Sequence, residues 1–398
     1  MRGVLLTALA TALVAGGPLA IGRAQTVPTL VPTIVYVPDQ YHTGGAYTAI
    51  EAAPDGRVYI GTTIYDGYAH LLEYTPASNR FESVAEMSAA TRERTPGPYA
   101  QAKIHTKPAI GPDGRVYFGT KSGKRAKDPR WQEHYPGGHL LVYDPRTRTT
   151  TDLGIIKPRV SIITVGLDRA RGLIYAVTDP ENRFVVYDPR TRAFADRGQF
   201  GPPGREPSRY LPVLANGDAF HPMGEAAMSR YNAAAGRVEQ VPLAITGQGT
   251  YEPPYALAPD PDGRRFWGVG KESGQLYLYE PREREIGVHI VGVATPDGFG
   301  PPGVHYTMTP APDGAVYYTA MLSRAGVWEF FIVRGRADGG RPQAVGRVAP
   351  LPRAPAGYRY DVSEHTIIQG STVTPDGTLI VMQAYPLRLL VFRGLARR

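Results

Sequence analysis

Asp113-Gly114-Arg115-Val116-Tyr117-Phe118-Gly119 decides the architecture of this chain. An Asp-Gly pair ahead of a short run of β-branched and aromatic residues reads as a hairpin turn feeding a strand, because glycine accepts the positive φ that such turns need. The arrangement occurs earlier at Asp55-Gly56-Arg57-Val58-Tyr59-Ile60-Gly61 and later at Arg171-Gly172-Leu173-Ile174-Tyr175-Ala176-Val177. Further turns stand at Asn216-Gly217, Asp262-Gly263, Asp313-Gly314 and Asp376-Gly377. Successive turn glycines lie 58, 58, 45, 46, 51 and 63 residues apart. Self-similarity at this period marks a repeat architecture.

A second marker follows each turn. His70-Leu71-Leu72-Glu73-Tyr74, His139-Leu140-Leu141-Val142-Tyr143, Arg183-Phe184-Val185-Val186-Tyr187 and Gln275-Leu276-Tyr277-Leu278-Tyr279 read as equivalent strands. Asp144-Pro145-Arg146-Thr147 and Asp188-Pro189-Arg190-Thr191 then make the next turn, and a fourth strand follows, as at Thr150–Gly154. Four antiparallel strands per repeat of this length predict a blade, and seven repeats predict an all-β, seven-bladed β-propeller. No window sustains a 3.6-residue period, which excludes helical solenoids. The last repeat ends at Leu389–Arg393 without a fourth strand, whereas Thr33–Val37 precedes the first repeat and has no other place. The expectation is that this N-terminal strand completes the last blade and closes the ring, protecting sheet edges.

The remaining composition fits. Of 398 residues 42% are apolar, with 46 Gly and 38 Pro, as a fold of many short strands and turns requires. Arg2, the apolar run Val4–Leu13 and Gly22-Arg23-Ala24 read as a signal peptide over residues 1–24, leaving 25–398 as one domain, secreted or periplasmic and not membrane-bound after cleavage. The chain has no Cys, so thiol chemistry and lipoprotein anchoring are excluded. The formal charge of +8 falls to +6 when Arg2 and Arg23 are removed, a balance that suits an acidic polymer. Basic residues are spread along the chain rather than clustered, which argues against nucleic acid. A monomer is expected.

No G-x-S-x-G, H-E-x-x-H, EF-hand or Walker A motif occurs. Function must come from side chains that the fold gathers. In a propeller the loops entering the first and third strands of each blade open on one face around the axis. Those positions hold Lys103, His105 and Lys107; His139, after a long insertion from Lys121 to Gly138; Arg209 and Tyr210; His221; Tyr251 and Glu252; His305 and Tyr306; Glu364 and His365. Phe200–Gly204 and Phe299–Gly303 lead into Tyr210 and Tyr306 in the same way. His70 belongs to the same set, whereas His289 falls on an outer strand. One such His is ordinarily structural; the set, interleaved with Tyr and Arg, points to a functional site.

His, Tyr and Arg with few carboxylates do not make a glycosidase, which needs an acidic pair. They suit β-elimination from a uronic acid: Arg or Lys neutralises the carboxylate, a neutral His or a Tyr oxygen removes the C5 proton, and a Tyr or His protonates the leaving oxygen.

Lys103-Ile104-His105-Thr106-Lys107 and Pro136-Gly137-Gly138-His139, on an exported seven-bladed propeller, resemble the propeller polysaccharide lyases of the ulvan and rhamnosyl-glucuronate type. The resemblance covers the second repeat and the architecture. It implies cleavage of a glucuronate- and rhamnose-containing glycan, with His105 and His139 catalytic and a Tyr–Arg pair placed by position at Tyr210 and Arg209. Lys107, His221, Tyr251, His305, Tyr306 and His365 are the expected substrate-binding residues. No cofactor is required on this reading. A divalent metal held by His105, His305 and His365 is a second expectation, and His305, His365 and Gln369 imitate the metal set of oligogalacturonate lyases. Two other classes stay open: a non-catalytic propeller that binds a glycan or protein, and a propeller lactonase or hydrolase, for which Glu252 and Glu364 are the metal candidates.

Overall fold

A computed structural model describes residues 27–42, 44–94, 97–123, 131–202, 208–294, 302–304, 307–324, 327–336, 338–354, 368–384 and 386–397. The fold is all-β. Every one of the seven turn glycines has positive φ, between +67° and +88°. At six of them the glycine N–H reaches the carbonyl three residues back, as Gly114 does to Gly111 at 3.0 Å. The preceding Asp or Asn accepts from the backbone two residues on, as Asp113 Oδ1 does from Arg115 N at 3.2 Å. The recurring Asp-Gly-x is thus a turn stabilised by its own side chain.

Four sheets contain four strands. The first runs Ile50–Ala52, Val58–Gly61, His70–Thr75, Arg80–Glu86, and the second Ala109–Ile110, Val116–Gly119, His139–Asp144, Thr149–Ile155. The third comprises Ser161–Asp168, Leu173–Asp179, Arg183–Asp188 and Ala193–Gln199. The last comprises Ile368–Val373, Leu379–Gln383 and Arg388–Phe392, with Thr33–Tyr36 antiparallel on its outer edge, Thr33 opposite Val391. The N-terminal strand therefore pairs where the sequence placed it.

Between the third and last sheets the described strands form two larger sheets rather than three blades of four. One has seven strands: Ala219–Pro222, Ala227–Asn232 and Arg237–Gly247 join Ile286–Gly292, Leu276–Pro281, Phe266–Val269 and Ala256–Pro259 through a parallel pairing of Leu243–Gly247 with Ile286–Ile290. The innermost strand expected in the fourth repeat is reduced to a single bridge, Val213 to Ala219. The other contains Met308–Pro310, Val316–Arg324, Val327–Gly335 and Gln343–Val348, flanked by Pro302–Val304 and by Thr29–Leu30 parallel on its edge. A short helix, Met87–Thr91, capped by the Glu86 carboxylate, was not anticipated.

Each sheet packs on its neighbours through side chains. Ile60, Leu72 and Tyr74 of the first sheet share one cluster with Ile380, Met382 and Val391 of the last. Each such buried aliphatic side chain contributes about 1.5–3 kcal/mol. The glycine ending the quoted motif has a steric reason. A Cβ on Gly119 would lie 2.6 Å from Ile162 of the third sheet, and one on Gly61 would lie 2.4 Å from Ile104. Inner segments from along the chain, among them those holding Glu51, Lys107, Thr164, Tyr210, Leu257 and Met308, line an axial cavity of about 470 Å³.

Candidate functional site

Tyr47 leads into the innermost strand of the first sheet and Tyr65 follows its second strand. Lys103 and His105 lead into the innermost strand of the second sheet, and Lys121 follows Val116–Gly119. Arg209 precedes the fourth unit, and Gln369 lies on Ile368–Val373. These residues come together.

His105 is 4% exposed. Its backbone is fixed by Thr48, whose Oγ1 donates to the His105 carbonyl at 2.6 Å. Its ring packs on Tyr47 at 4.2 Å between centroids, and neither ring nitrogen has a hydrogen-bond partner. Burial, then the charges of Arg209, Lys103 and Lys121, hold its pKa well below the usual value, so the ring is neutral at physiological pH.

The neighbours are cationic and phenolic. The Arg209 guanidinium lies 5.0 Å over the Tyr47 ring and donates to Gln369 Oε1 at 3.0 Å. Lys103 Nζ sits 4.9 Å over the Tyr65 ring and donates to the Gly123 carbonyl at 2.9 Å. Tyr47 and Tyr65 share a 2.7 Å hydroxyl–hydroxyl hydrogen bond. Lys121 pairs with Asp179. A buried neutral base beside excess positive charge and two phenols is suited to receiving an anionic group and moving a proton next to it.

Other expected residues lie elsewhere. His139 has both ring nitrogens engaged: its Nδ1 bonds Asp152 at 2.8 Å and its Nε2 bonds Glu93 at 2.6 Å. Burial alone would lower its pKa, but the two carboxylates outweigh burial and raise it to about 9, so the ring is a clamped cation. Glu93 also accepts from Gln101, which donates in turn to the Gly137 carbonyl, so the clamp anchors the end of the insertion. Tyr210 is 3% exposed within an apolar cluster that includes Trp267 and Met308, and burial pushes its hydroxyl pKa up. It faces the axial cavity while Arg209, one residue earlier, reaches His105. The Lys107 ammonium is spent on the Ile50 and Ser371 carbonyls and on Glu51, tying inner strands of three sheets together.

Tyr251 accepts a hydrogen bond from Tyr279 at 3.3 Å at the edge of an aromatic cluster. Glu252 caps a turn, accepting from Ser273 N at 2.9 Å, so its carboxylate is not a free metal ligand. His70 bonds Ser83 at 2.8 Å, and His289 is exposed on an outer strand. His221 is buried and lines a separate cavity. His305, Tyr306, Glu364 and His365 lie outside the described residues. Among the described residues no cluster of three metal-ligating side chains occurs. The cations that suppress protonation of His105 would equally repel a divalent ion there.

Tyr47, Tyr65 and Lys121 stand outside the candidate set drawn from the sequence. Tyr47 enters an innermost strand and obeys the rule that found His105. Lys121 is brought to His105 by backbone pairing with Lys103 in the same repeat, whereas Tyr65, four residues past the second strand of the first sheet, meets Lys103 across the sheets.

Sheets, turns and axial cavity define a β-propeller fold. No family profile and no curated protein sequence matches the chain. Solved structures do. The WD40 repeats of RRP9 match with a TM-score of 0.60 at 11% identity, covering 92% of this chain and 99% of that one. YCF48 bound to D1 peptide matches at 0.55 and 11%, covering 92% and 97%. The extracellular domain of BT4673 from B. thetaiotaomicron matches at 0.54 and 12%, covering 90% of this chain and 39% of that one. At these identities the likeness is one of fold.

Proposed function

We propose that this chain is an exported propeller polysaccharide lyase that cleaves a uronic-acid-containing glycan by β-elimination. The observation that carries the reading is His105: buried, neutral, without a partner, and surrounded by Arg209, Lys103 and Lys121. A protein that needed this residue only for packing would bond its nitrogens or replace it with an apolar side chain. A uronate carboxylate is neutralised by Arg209 with Lys103, which acidifies the C5 proton. His105 takes that proton. The C4–O bond breaks as the C4=C5 double bond forms, and the leaving oxygen takes a proton from the Tyr47–Tyr65 hydroxyl pair, a role that the buried Tyr210 hydroxyl is poorly placed to fill. His139 is assigned a positioning role through Glu93 and Asp152. The reaction so written needs no metal, and the partner is an acidic oligo- or polysaccharide acted on by a monomer.

The same reading takes the fold as seven blades. The seven-stranded sheet divides at its parallel seam into fourth and fifth blades, and Thr33–Tyr36 closes the ring on the seventh. Export rests on residues 1–24.

The test is a panel of uronate polymers, followed at about 235 nm where the unsaturated product of elimination absorbs. Cleavage of one of them by the parent protein supports the reading. If a polymer is bound but never cleaved, the protein is a glycan-binding propeller, and if none is bound the uronate reading falls.

A further inference from the structure

The hairpin of the sixth unit is longer than its counterparts and carries an exposed tryptophan. Val316–Arg324 and Val327–Gly335 pair along their whole length, with Arg324 opposite Val327. Val316 stands two residues after its turn glycine, as Val58 and Val116 do, yet its strand has nine residues where Val58–Gly61 and Val116–Gly119 have four. The added length is about 17 Å. The outer strand Gln343–Val348 does not follow: its last pair is Arg347 with Phe331, so Val327–Phe330 project past it as an arm.

The arm stands at the end of the molecule where the His105 site lies. Ile110 and Pro310, each shortly before an Asp-Gly turn, line the one axial cavity, so the turns of the second and sixth units share an end. The arm is at the far end of its strand from that turn, and His105 leads into the far end of Ala109–Ile110.

Trp328 is 51% exposed. Alternation puts it on one face with Phe330, with Ser323 opposite Trp328 and Met321 opposite Phe330. Phe330 belongs to the same apolar cluster as Ile368 of the last sheet. The next residue, Gln369, accepts the hydrogen bond from Arg209 at 3.0 Å. The indole therefore flanks the first site, about 7 Å along the strand from Phe330. The other face of the arm holds Val327 and Glu329, whose carboxylate accepts from Arg324 at 3.2 Å and Arg347 at 2.9 Å. The tryptophan face is built of uncharged residues.

A protein partner does not suit this feature. Val327 and Trp328 point to opposite sides, and one indole offers no more than about 250 Å², against about 800 Å² per partner in a stable interface. A pyranose suits it. The C–H hydrogens of the sugar, polarised by its oxygens, pack on the electron-rich face of the indole, and Ser323 supplies a hydroxyl for the rim.

We infer that Trp328 is a stacking platform for a second sugar ring of the glycan, outside the uronate that reacts at His105. The inference rests on the uronate reading and extends it to how the polymer is gripped. The test is affinity electrophoresis in the cold, in gels cast with ulvan, hyaluronan, alginate or polygalacturonate. Parent, Trp328→Ala, Trp328→Leu, Trp328→Phe and Val327→Ala are compared. At least one polymer should retard the parent. The dissociation constant should rise about three- to tenfold in Trp328→Ala and Trp328→Leu, and less in Trp328→Phe, which keeps an aromatic face. Val327→Ala should match the parent. Trp328→Leu keeps apolar bulk on the arm, so it decides the matter if Trp328→Ala fails to fold. Retardation of both variants equal to the parent's overturns the inference and leaves the uronate reading standing. Equal weakening in Val327→Ala also overturns it, by making the arm as a whole the cause. A parent that no polymer retards brings down the uronate reading and this inference together.

Discussion

Replacing His105 with leucine should abolish function without costing stability. A buried polar group without a partner costs about 1–3 kcal/mol, and both nitrogens of His105 are in that state. Leucine removes the cost and fills a similar volume. It forfeits the ring contact with Tyr47, worth about 0.5–1.5 kcal/mol. The net expectation is an unfolding free energy unchanged or raised by up to about 2 kcal/mol at pH 7.5. The pH dependence isolates the cause. The folded-state pKa of His105 lies below the unfolded value of 6.5, so the unfolded chain binds the extra proton. The parent therefore loses stability as pH falls below 6.5, by about 1.4 kcal/mol per pH unit from this group, and the variant does not. His221 and the carboxylates titrate alike in both proteins and cancel in the difference. Urea unfolding at pH 7.5 and 5.5 measures it: the advantage of the variant should grow by about 1.4 kcal/mol. If His105→Leu is destabilised by 2 kcal/mol or more, or the difference does not change with pH, His105 is a structural residue and the reasoning fails.

Asp152→Asn tests the clamp on His139. The folded pKa, about 9, exceeds the unfolded 6.5, so the clamp's contribution is complete below pH 6.5 and is lost as pH rises through 9. Denaturant unfolding should show a deficit of roughly 1–3 kcal/mol at pH 6, after allowance for solvent, shrinking at pH 10; an equal deficit at both would contradict it. Gly119→Ala should destabilise by about 1–3 kcal/mol through overpacking against Ile162. A midpoint equal to the parent's in the same assay would mean the sheets can part. His289→Ala, exposed on an outer strand, should match the parent in stability and activity.

How much was legible follows from where the information lies. Asp55, Asp113 and Asp313 write their turns locally, through their own carboxylates and the glycine that follows, so the repeat and the outer strand Thr33–Tyr36 were readable. The fourth unit was less so. Its innermost strand is only the Val213 bridge, and its outer strand Arg237–Gly247 pairs in parallel with a strand some forty residues later. Neither feature has a local signal. At the site, the placement of His105 was readable because it leads into an innermost strand, and that of Arg209 because it precedes the inner segment of the fourth unit. His139 satisfied the same positional rule, but Asp152 on the adjacent strand and Glu93, 46 residues earlier in the chain, capture both its nitrogens. Tyr210 is drawn into the apolar cluster with Trp267 and Met308, while Arg209 beside it packs over Tyr47 and bonds Gln369.

The central claim is that His105 removes a proton from a uronate held by Arg209. Its most direct test is the initial rate of formation of the unsaturated product, on a uronate polymer that the parent cleaves, for His105→Ala against parent at equal folded concentration. Loss of a general base predicts a fall of about 10²–10⁴ in turnover, with the variant still folded. Parental turnover in folded His105→Ala would contradict the account.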